Sequence, residues 1–480
     1  MKISVFPVAI ESQLRDPVAA YKALEAENSY LLESREGSEK VARYSFIGFD
    51  PVLKIRMKDG KLDMEIYDKE FPKLKIEAKD PIEAMENLLK NFKLSSELKT
   101  RFSGGFVGYF SYDLISYFID TLESQKDVLK QPDLEFLLVK KNIIFDHLAK
   151  KSYLVSYEFL ENDEKADISV KKEELAKLER EILEKEKNSA KHDDAIAEEE
   201  ISSNLTKEEF MENVRIAKRY IREGDIFQVV LSQRLKTRLF NADDSFKIFE
   251  NLLEINPSPY MYYLNFGERK LIGSSPEMLV RVENKEAITF PIAGTRKRGE
   301  TAEEDKELER DLLRDEKERA EHVMLVDLAR NDIGKVAKFG SVKVTRFLEI
   351  EKYSHVMHLV SEVKGELRDD KDALDAFKAV FPAGTVSGAP KVRAMEIISE
   401  LEEEKRGIYA GSVGYVSFNG NLDSAIAIRT ITLEKKDAYV QVGAGIVADS
   451  IPAKEYEETM NKGLALIKAL SKNEKKSFSC

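Results

Sequence analysis

The stretch Gly414-Tyr-Val-Ser-Phe-Asn-Gly-Asn-Leu-Asp-Ser-Ala-Ile-Ala-Ile-Arg-Thr-Ile-Thr-Leu433 reads as two strand-forming runs, Gly414–Phe418 and Leu422–Leu433, joined at Asn419-Gly420. Asn-Gly readily takes the positive φ values that a tight hairpin needs. A third run, Ala438–Val447, follows closely and completes a meander. Similar patterns recur near the start, where Leu53–Met57 and Leu62–Tyr67 flank Asp59-Gly60, and Leu134–Phe145 faces Ser152–Phe159 across His147–Lys151. Between them, the glycines of Ser103-Gly-Gly-Phe-Val-Gly-Tyr109 suit close backbone approach. More strand-like runs cover Phe227–Lys236, Tyr260–Phe266, Lys270–Gly273, Met278–Val282 and Ala287–Ile292. Helices are expected after Thr206, which forms a capping-box pattern with Glu209 and ends at Gly224, over the charged stretch Glu303–Arg330, and over Ala453–Leu470. Strands and helices that do not alternate regularly give an α+β class with largely antiparallel sheets.

At 480 residues and 42% hydrophobic content the chain suggests two domains or one large composite. Glu161–Leu205 has no aromatic residue and mixes acidic with basic side chains. It reads as a solvated helix, striped by Leu175, Leu178 and Ile182, then a flexible stretch around Lys187–Glu200. The expected units are therefore 1–160, a linker at 161–205, a second unit at 206–472 and a tail at 473–480. The 88 acidic residues exceed the 76 basic ones, and a net charge of −12 argues against binding the nucleic-acid backbone. No apolar run is long enough to span a bilayer and no secretory signal opens the chain, so a cytoplasmic protein is expected. The only cysteine is Cys480, which rules out internal disulfides and a Cys-based zinc site.

Three features point to chemistry. Glu318 and Glu321 stand three residues apart on the charged helix, and Glu455 and Glu458 repeat that spacing on the last one. If the pairs meet, four carboxylates need a hard cation such as Mg²⁺. On spacing alone, solvated helix faces are the plainer explanation. Against that, Glu321 adjoins His322 and the apolar run Val323–Val326. The second feature is a set of glycine turns: Pro291–Arg296, Phe381–Pro390 and Gly443-Ala444-Gly445. The second of these feeds a helix whose amino end favours anions. With Arg429 on an otherwise apolar strand, these turns suggest a carboxylate site, the alternative being a structural salt bridge. The third is Tyr353-Ser-His-Val-Met-His358, where His358 is a candidate acid or base and a structural histidine is the alternative.

Four long segments carry a resemblance: Gly224-Asp-Ile-Phe-Gln-Val-Val-Leu-Ser-Gln-Arg234, Ile272-Gly-Ser-Ser-Pro-Glu277, Glu321-His-Val-Met-Leu-Val-Asp-Leu-Ala-Arg-Asn-Asp332 and Thr385-Val-Ser-Gly-Ala-Pro-Lys391. Through them the stretch from Thr206 to Leu470 resembles the chorismate-utilising enzymes, which implies large antiparallel sheets packed as a sandwich with flanking helices. Ala293 and Gln228 stand where relatives with other chemistries carry lysines, so the chain looks most like the large subunit of the anthranilate synthases. Leu31-Leu-Glu-Ser34, Arg43–Gly48 and Asn256-Pro-Ser-Pro-Tyr-Met261 are similar to the tryptophan-binding segments of that group.

The resemblance implies chorismate contacts at Gly294, Thr295, Tyr409, Arg429, Gly443, Ala444 and Gly445, with Gln228, Thr385, Glu318 and His358 in or beside the chemistry. It implies Mg²⁺ on Glu321 and Glu458, supported by Glu318 and Glu455, and a tryptophan site at Ser34, Pro259, Tyr260 and Met261. It further implies a Mg²⁺-dependent lyase that makes anthranilate and pyruvate, feedback inhibition by tryptophan, and a separate glutamine amidotransferase subunit in a heterotetramer. The missing internal cysteine agrees with that division of labour, since such glutaminases use a cysteine nucleophile. The alternatives are aminodeoxyisochorismate synthase, aminodeoxychorismate synthase, or a catalytically silent chorismate- or tryptophan-sensing subunit.

Overall fold

The computed structural model describes residues 2–24, 26–35, 43–96, 98, 100–161, 167–188, 201–239, 245–353 and 356–470. Asp59 and Gly60 both adopt positive φ, 48° and 73°, and close the hairpin of Tyr44–Lys58 with Lys61–Ile66. Leu134–Asp146 pairs with Lys151–Glu161, and Gly105–Phe110 lies against Leu134–Asp146, as their patterns predict. The strands join through shared ladders into one large, mainly antiparallel network. Parallel pairing between strands occurs where Ile3–Val5 meets Phe92–Leu94. Thr206 and Glu209 make the capping box of the Lys207–Glu223 helix, and Gly224 ends it at φ 86°.

Period-two alternation places apolar side chains on both faces of the sheets. On the Tyr260–Asn265 strand, Tyr262 and Leu264 enter one core with Tyr30, Phe46 and Leu271. Met261 and Tyr263 enter a second core with Leu31, Ile47 and Ile272. Ladders also run between the early and late parts of the chain. Ser29–Glu33 pairs with Tyr260–Asn265, and Gly105–Phe110 with Ser412–Ser417. The same antiparallel ladders therefore hold residues from both ends of the sequence.

Four expectations change. The charged stretch at 303–330 is two helices, Ala302–Arg314 and Glu316–Gly334. Asp315 is extended between them, and its carboxylate accepts the amides of Lys317 and Glu318. Aspartate favours that N-cap role, but uniform charge on both sides hides the break in the sequence. The run Leu422–Leu433 also breaks. Leu422–Ile426 pairs with Met278–Glu283 and Ser412–Ser417, whereas Thr430–Glu434 pairs with Arg269–Ser275 and Asp437–Ile446. The chain changes ladders at Ala427–Arg429, so the three runs do not form a simple meander and Arg429 is not on a strand. Ala287–Ile292 likewise divides, into Glu286–Thr289 and the start of Ile292–Lys297.

The fourth change concerns the linker. The Ile168–Asn188 helix is not wholly solvated: Leu175 and Ile182 are buried in the second core, and Glu179 accepts from Ser12 Oγ at 2.7 Å. The expected flexible stretch falls largely on residues 189–200, outside the described residues, as do Cys480 and the 473–480 tail. Among the described residues no helix is long and apolar enough to cross a membrane.

Candidate active site

A cavity of about 1310 Å³ opens between the Glu316–Gly334 helix, the Pro452–Ile467 helix and the ends of several strands. Both glutamate pairs line it: Glu318 and Glu321 on one helix, Glu455 and Glu458 on the other. His322 anchors the first helix. It is fully buried, and its Nε2 lies 2.6 Å from Ser361 Oγ on the Val356–Glu366 strand. His322 and Val326 turn into the protein, while Glu318, Glu321 and Leu325 line the cavity. Burial raises the Glu321 carboxyl above its ordinary value, and Glu318 and Glu458 add like-charge repulsion. The Gln228 side chain hydrogen-bonds Glu321 and Lys317 lies near it, both opposing that rise.

This donor set fits a hard divalent cation, because oxygen ligands carrying mutually unfavourable charge surround one space. Among the described residues, no three metal-ligating side chains already form a compact metal cluster. Glu458 is instead paired with Lys462 at 2.7 Å, and Lys462 also donates to the Gly443 carbonyl at 3.1 Å.

Gly294 interrupts the pairing of Ile292–Lys297 with Val356–Glu366 as a bulge at φ 64°, a conformation glycine adopts without strain. The bulge puts Thr295 opposite His358. His358 Nδ1 lies 3.0 Å from Thr295 Oγ1 and 3.0 Å from the Gly294 carbonyl oxygen. A carbonyl can only accept, so this contact assigns the proton to Nδ1 and leaves Nε2 the lone pair in the neutral ring. Burial lowers the His358 pKa; the Gly294 contact opposes that and Arg429 adds to it. His355 lies outside the described residues.

Arg429 sits in the break between ladders with φ 49°, and its Nη1 donates to Asn256 Oδ1 at 3.4 Å. Burial pulls its pKa down and Glu277 opposes the fall. Tyr409 and Gly443 share the same cavity, and a Cβ at position 443 would stand 2.5 Å from the Tyr409 hydroxyl. Glycine is therefore required for the backbone to come this near the ring. Gly445 also lines the cavity, but Ala444 turns its side chain into the core with Val229 and Leu231, leaving only its backbone for a ligand.

Glu277 is a residue the sequence reading passed over. It lines the cavity and accepts from Thr385 Oγ1 at 3.0 Å. Burial pushes its carboxyl up to about 8, against the opposing pull of Thr385 and Arg429. It was legible only as the polar end of Ile272-Gly-Ser-Ser-Pro-Glu277, and Lys462 only as one more charge on a charged helix. Of the Phe381–Pro390 turn, Thr385 and Val386 line this cavity, and the Lys391–Leu401 helix that follows does not. Lys391 is paired there with buried Asp332 at 2.6 Å.

A second cavity, about 50 Å³, is lined by Ser34, Tyr260 and Met261 together with Tyr44, Phe46 and Tyr415. Glu33 also lines it, paired with Arg35 at 2.8 Å and pushed up to about 7 by burial. Pro259 lines the large cavity rather than this one. The Asn256–Met261 segment thus runs from one cavity to the other.

The profile of the family described as chorismate binding enzyme matches residues 27–468. The chain is 49% identical to anthranilate synthase component 1 of Acetivibrio thermocellus, covering 97% of this chain and 95% of that protein. It is 51% identical to the protein of the same name from Aquifex aeolicus, covering 95% of this chain and 92% of that one. The crystal structure of anthranilate synthase component I from Streptococcus pneumoniae superposes with a TM-score of 0.75 at 39% identity, over 90% of this chain and 95% of that one. The menaquinone-specific isochorismate synthase of Escherichia coli shares the fold at 17% identity and a TM-score of 0.73, over 98% of this chain and 95% of that one. The large antiparallel sheets, the cavity they frame and these matches agree: the chain belongs to the chorismate-binding enzyme family.

Proposed function

We propose that the chain is the chorismate-converting subunit of an anthranilate synthase, a lyase that forms anthranilate and pyruvate from chorismate and ammonia. The observation that carries this reading is the convergence of Glu277, Arg429, His358 and both glutamate pairs on one cavity. The positions that resemble the lysine sites of other chemistries hold Gln228 and Ala293, and both line that cavity without offering an amine. This favours ammonia as the nucleophile over a lysine-bound intermediate or a lysine-activated water.

Chorismate is a dicarboxylate with a ring hydroxyl. Arg429 and the backbone amides of Gly443–Gly445 are the anion-binding groups for one carboxylate, and Tyr409 fixes the ring beside them. Glu321 and Glu458, supported by Glu318 and Glu455, would hold Mg²⁺, whose chemistry is to bind the other carboxylate and offset its charge. Glu277, kept protonated near neutral pH, gives its proton to the ring hydroxyl as the C–O bond breaks and water leaves. Ammonia forms the new C–N bond while the ring double bonds shift. Loss of a ring proton, with His358 Nε2 as the candidate acceptor, then aromatises the ring as the ether C–O bond breaks, and the released enolpyruvate takes up a proton at its methylene carbon to become pyruvate.

The only cysteine in the sequence is Cys480, so the reading assigns glutamine hydrolysis to a partner amidotransferase subunit, in a heterotetramer. The aromatic-walled cavity at Ser34, Tyr260 and Met261 is the proposed tryptophan site, coupled to the large cavity through Asn256–Met261. Equimolar anthranilate and pyruvate from chorismate, ammonium and Mg²⁺ is the result expected. An amino acid product with its enolpyruvyl group intact would move the chain to the aminodeoxyisochorismate or aminodeoxychorismate synthases. Chorismate binding without turnover would make it a sensor.

A further inference from the structure

Arg406 is 1% exposed, yet its guanidinium reaches three separate pieces of the large cavity's wall. Nη1 donates to the Val386 carbonyl at 2.8 Å and Nη2 to the Val230 carbonyl at 2.7 Å. Its Cζ lies 5.7 Å from the Tyr409 ring centroid and 4.7 Å from that of Tyr112. Val230, Val386 and Tyr409 all line the cavity, whereas Arg406 does not. Glu402 holds the guanidinium from behind through two bonds, from Nε at 2.8 Å and Nη2 at 2.6 Å. The same carboxylate accepts the Ser232 amide and hydroxyl at 2.8 and 3.0 Å, so the anchor is tied to the Gln228–Arg238 strand.

Val386 belongs to a short 3-10 turn that the Val230 amide joins to its strand by donating to the Ser387 carbonyl at 2.9 Å, and Tyr409 to a turn outside any helix or strand. Arg406 links both turns to that strand. Val386 follows Thr385, the residue whose hydroxyl holds Glu277. A buried planar guanidinium with fixed donor directions can lock groups from separate segments at one distance, which a point charge on a flexible stem cannot.

We infer that Arg406 is a positioning residue for chorismate conversion: it sets the Thr385–Val386 turn, the Val230 backbone and the Tyr409 ring relative to one another without touching substrate. This rests on the function proposed above. The plain alternative is an ion pair with Glu402 that only stabilises the fold.

The test uses Arg406→Met combined with Glu402→Gln, which removes both buried charges and so avoids stranding one of them. Arg406→Lys is made in parallel; it keeps the charge but cannot serve both carbonyls and Glu402 in the same geometry. The whole chain is assayed with ammonium, and its thermal midpoint is measured alongside. The expected result is a fall in kcat/KM of about tenfold or more in the double variant and a smaller fall in Arg406→Lys, both folded at the assay temperature. A folded double variant within about twofold of wild-type kcat/KM overturns the inference. So does a loss fully matched by loss of folded protein, with Arg406→Lys at wild-type kcat/KM. If the wild-type chain itself fails to turn over chorismate, the function reading fails separately. The same variants are then compared by calorimetric titration with chorismate, and unchanged binding overturns the positioning role.

Discussion

Thr385 Oγ1 donates to Glu277 Oε1 across 3.0 Å, although 108 residues separate the two in the chain. The bond ties the turn after Phe381-Pro382 to the end of the Arg269–Ser275 strand segment, and it orients a carboxyl that burial holds protonated up to about pH 8. A protonated acid has the state needed to assist a hydroxyl leaving group.

If Glu277 is that acid, turnover falls as pH rises through about 8, where its proton is lost. Glu277→Gln lowers kcat by about 10²- to 10⁴-fold, while chorismate affinity is largely kept. The fold's stability carries the same signature. Because the folded value lies above the ordinary 4.5, the folded chain keeps a proton that the unfolded chain has released between pH 4.5 and about 8. This contribution is full at low pH and is lost as pH rises through that window. Glu277→Gln removes the decline, so its thermal midpoint gains on wild type between pH 5 and pH 9. A midpoint difference that is flat with pH would contradict the assignment.

Burial, and then like-charge repulsion from Glu318 and Glu458, raise the Glu321 carboxyl. Glu321→Gln therefore raises the thermal midpoint of metal-free protein and weakens Mg²⁺ binding by about tenfold or more, read by calorimetric titration. A variant that binds Mg²⁺ as wild type does would remove Glu321 from the metal site.

The Arg429 charge pulls down the pKa of both Glu277 and His358. Replacing it with glutamine keeps hydrogen-bonding capacity but removes the charge. Steady-state kinetics should show kcat/KM for chorismate reduced by about 100-fold, the scale of losing a charged hydrogen bond to the substrate carboxylate. Glu277 also loses a cation that lowers its pKa, so the alkaline limb moves upward. A variant with unchanged kcat/KM would show that the substrate carboxylate lies elsewhere.

Ser34 borders a cavity of only about 50 Å³. A phenylalanine there fills space that an indole would need. The tryptophan concentration for half-inhibition should rise by about tenfold or more, with uninhibited turnover as the internal control. Unchanged inhibition would place the effector elsewhere.

Glutamine should not replace ammonium for the isolated chain, because Cys480 is its only thiol. Addition of a partner glutaminase should confer glutamine-dependent turnover. Glutamine-dependent activity in the homogeneous chain alone would defeat the two-subunit reading.

Much of the fold was legible because its signals are local. Asp59-Gly60 and Asn419-Gly420 mark their hairpins, and the Thr206–Glu209 capping box starts its helix where expected. The errors arose where composition is uniform across a break. Asp315 divides a stretch charged on both sides, and Ala427–Arg429 divides a run apolar on both sides. Within the candidate site, the glutamate pairs and glycine turns were visible as spacings and motifs. Glu277 and Arg406 were not, because their importance lies in burial and in partners more than a hundred residues away, such as Thr385 and Val230.

Glu321 and Glu458 are proposed to close on one divalent ion in the cavity that Arg429 also lines. An anomalous-difference map from crystals grown with Mn²⁺ tests it directly. The expected result is a peak within coordination distance of both carboxylates, with Lys462 turned away from Glu458. A map with no peak between them, or with Mn²⁺ bound at another site only, would contradict it.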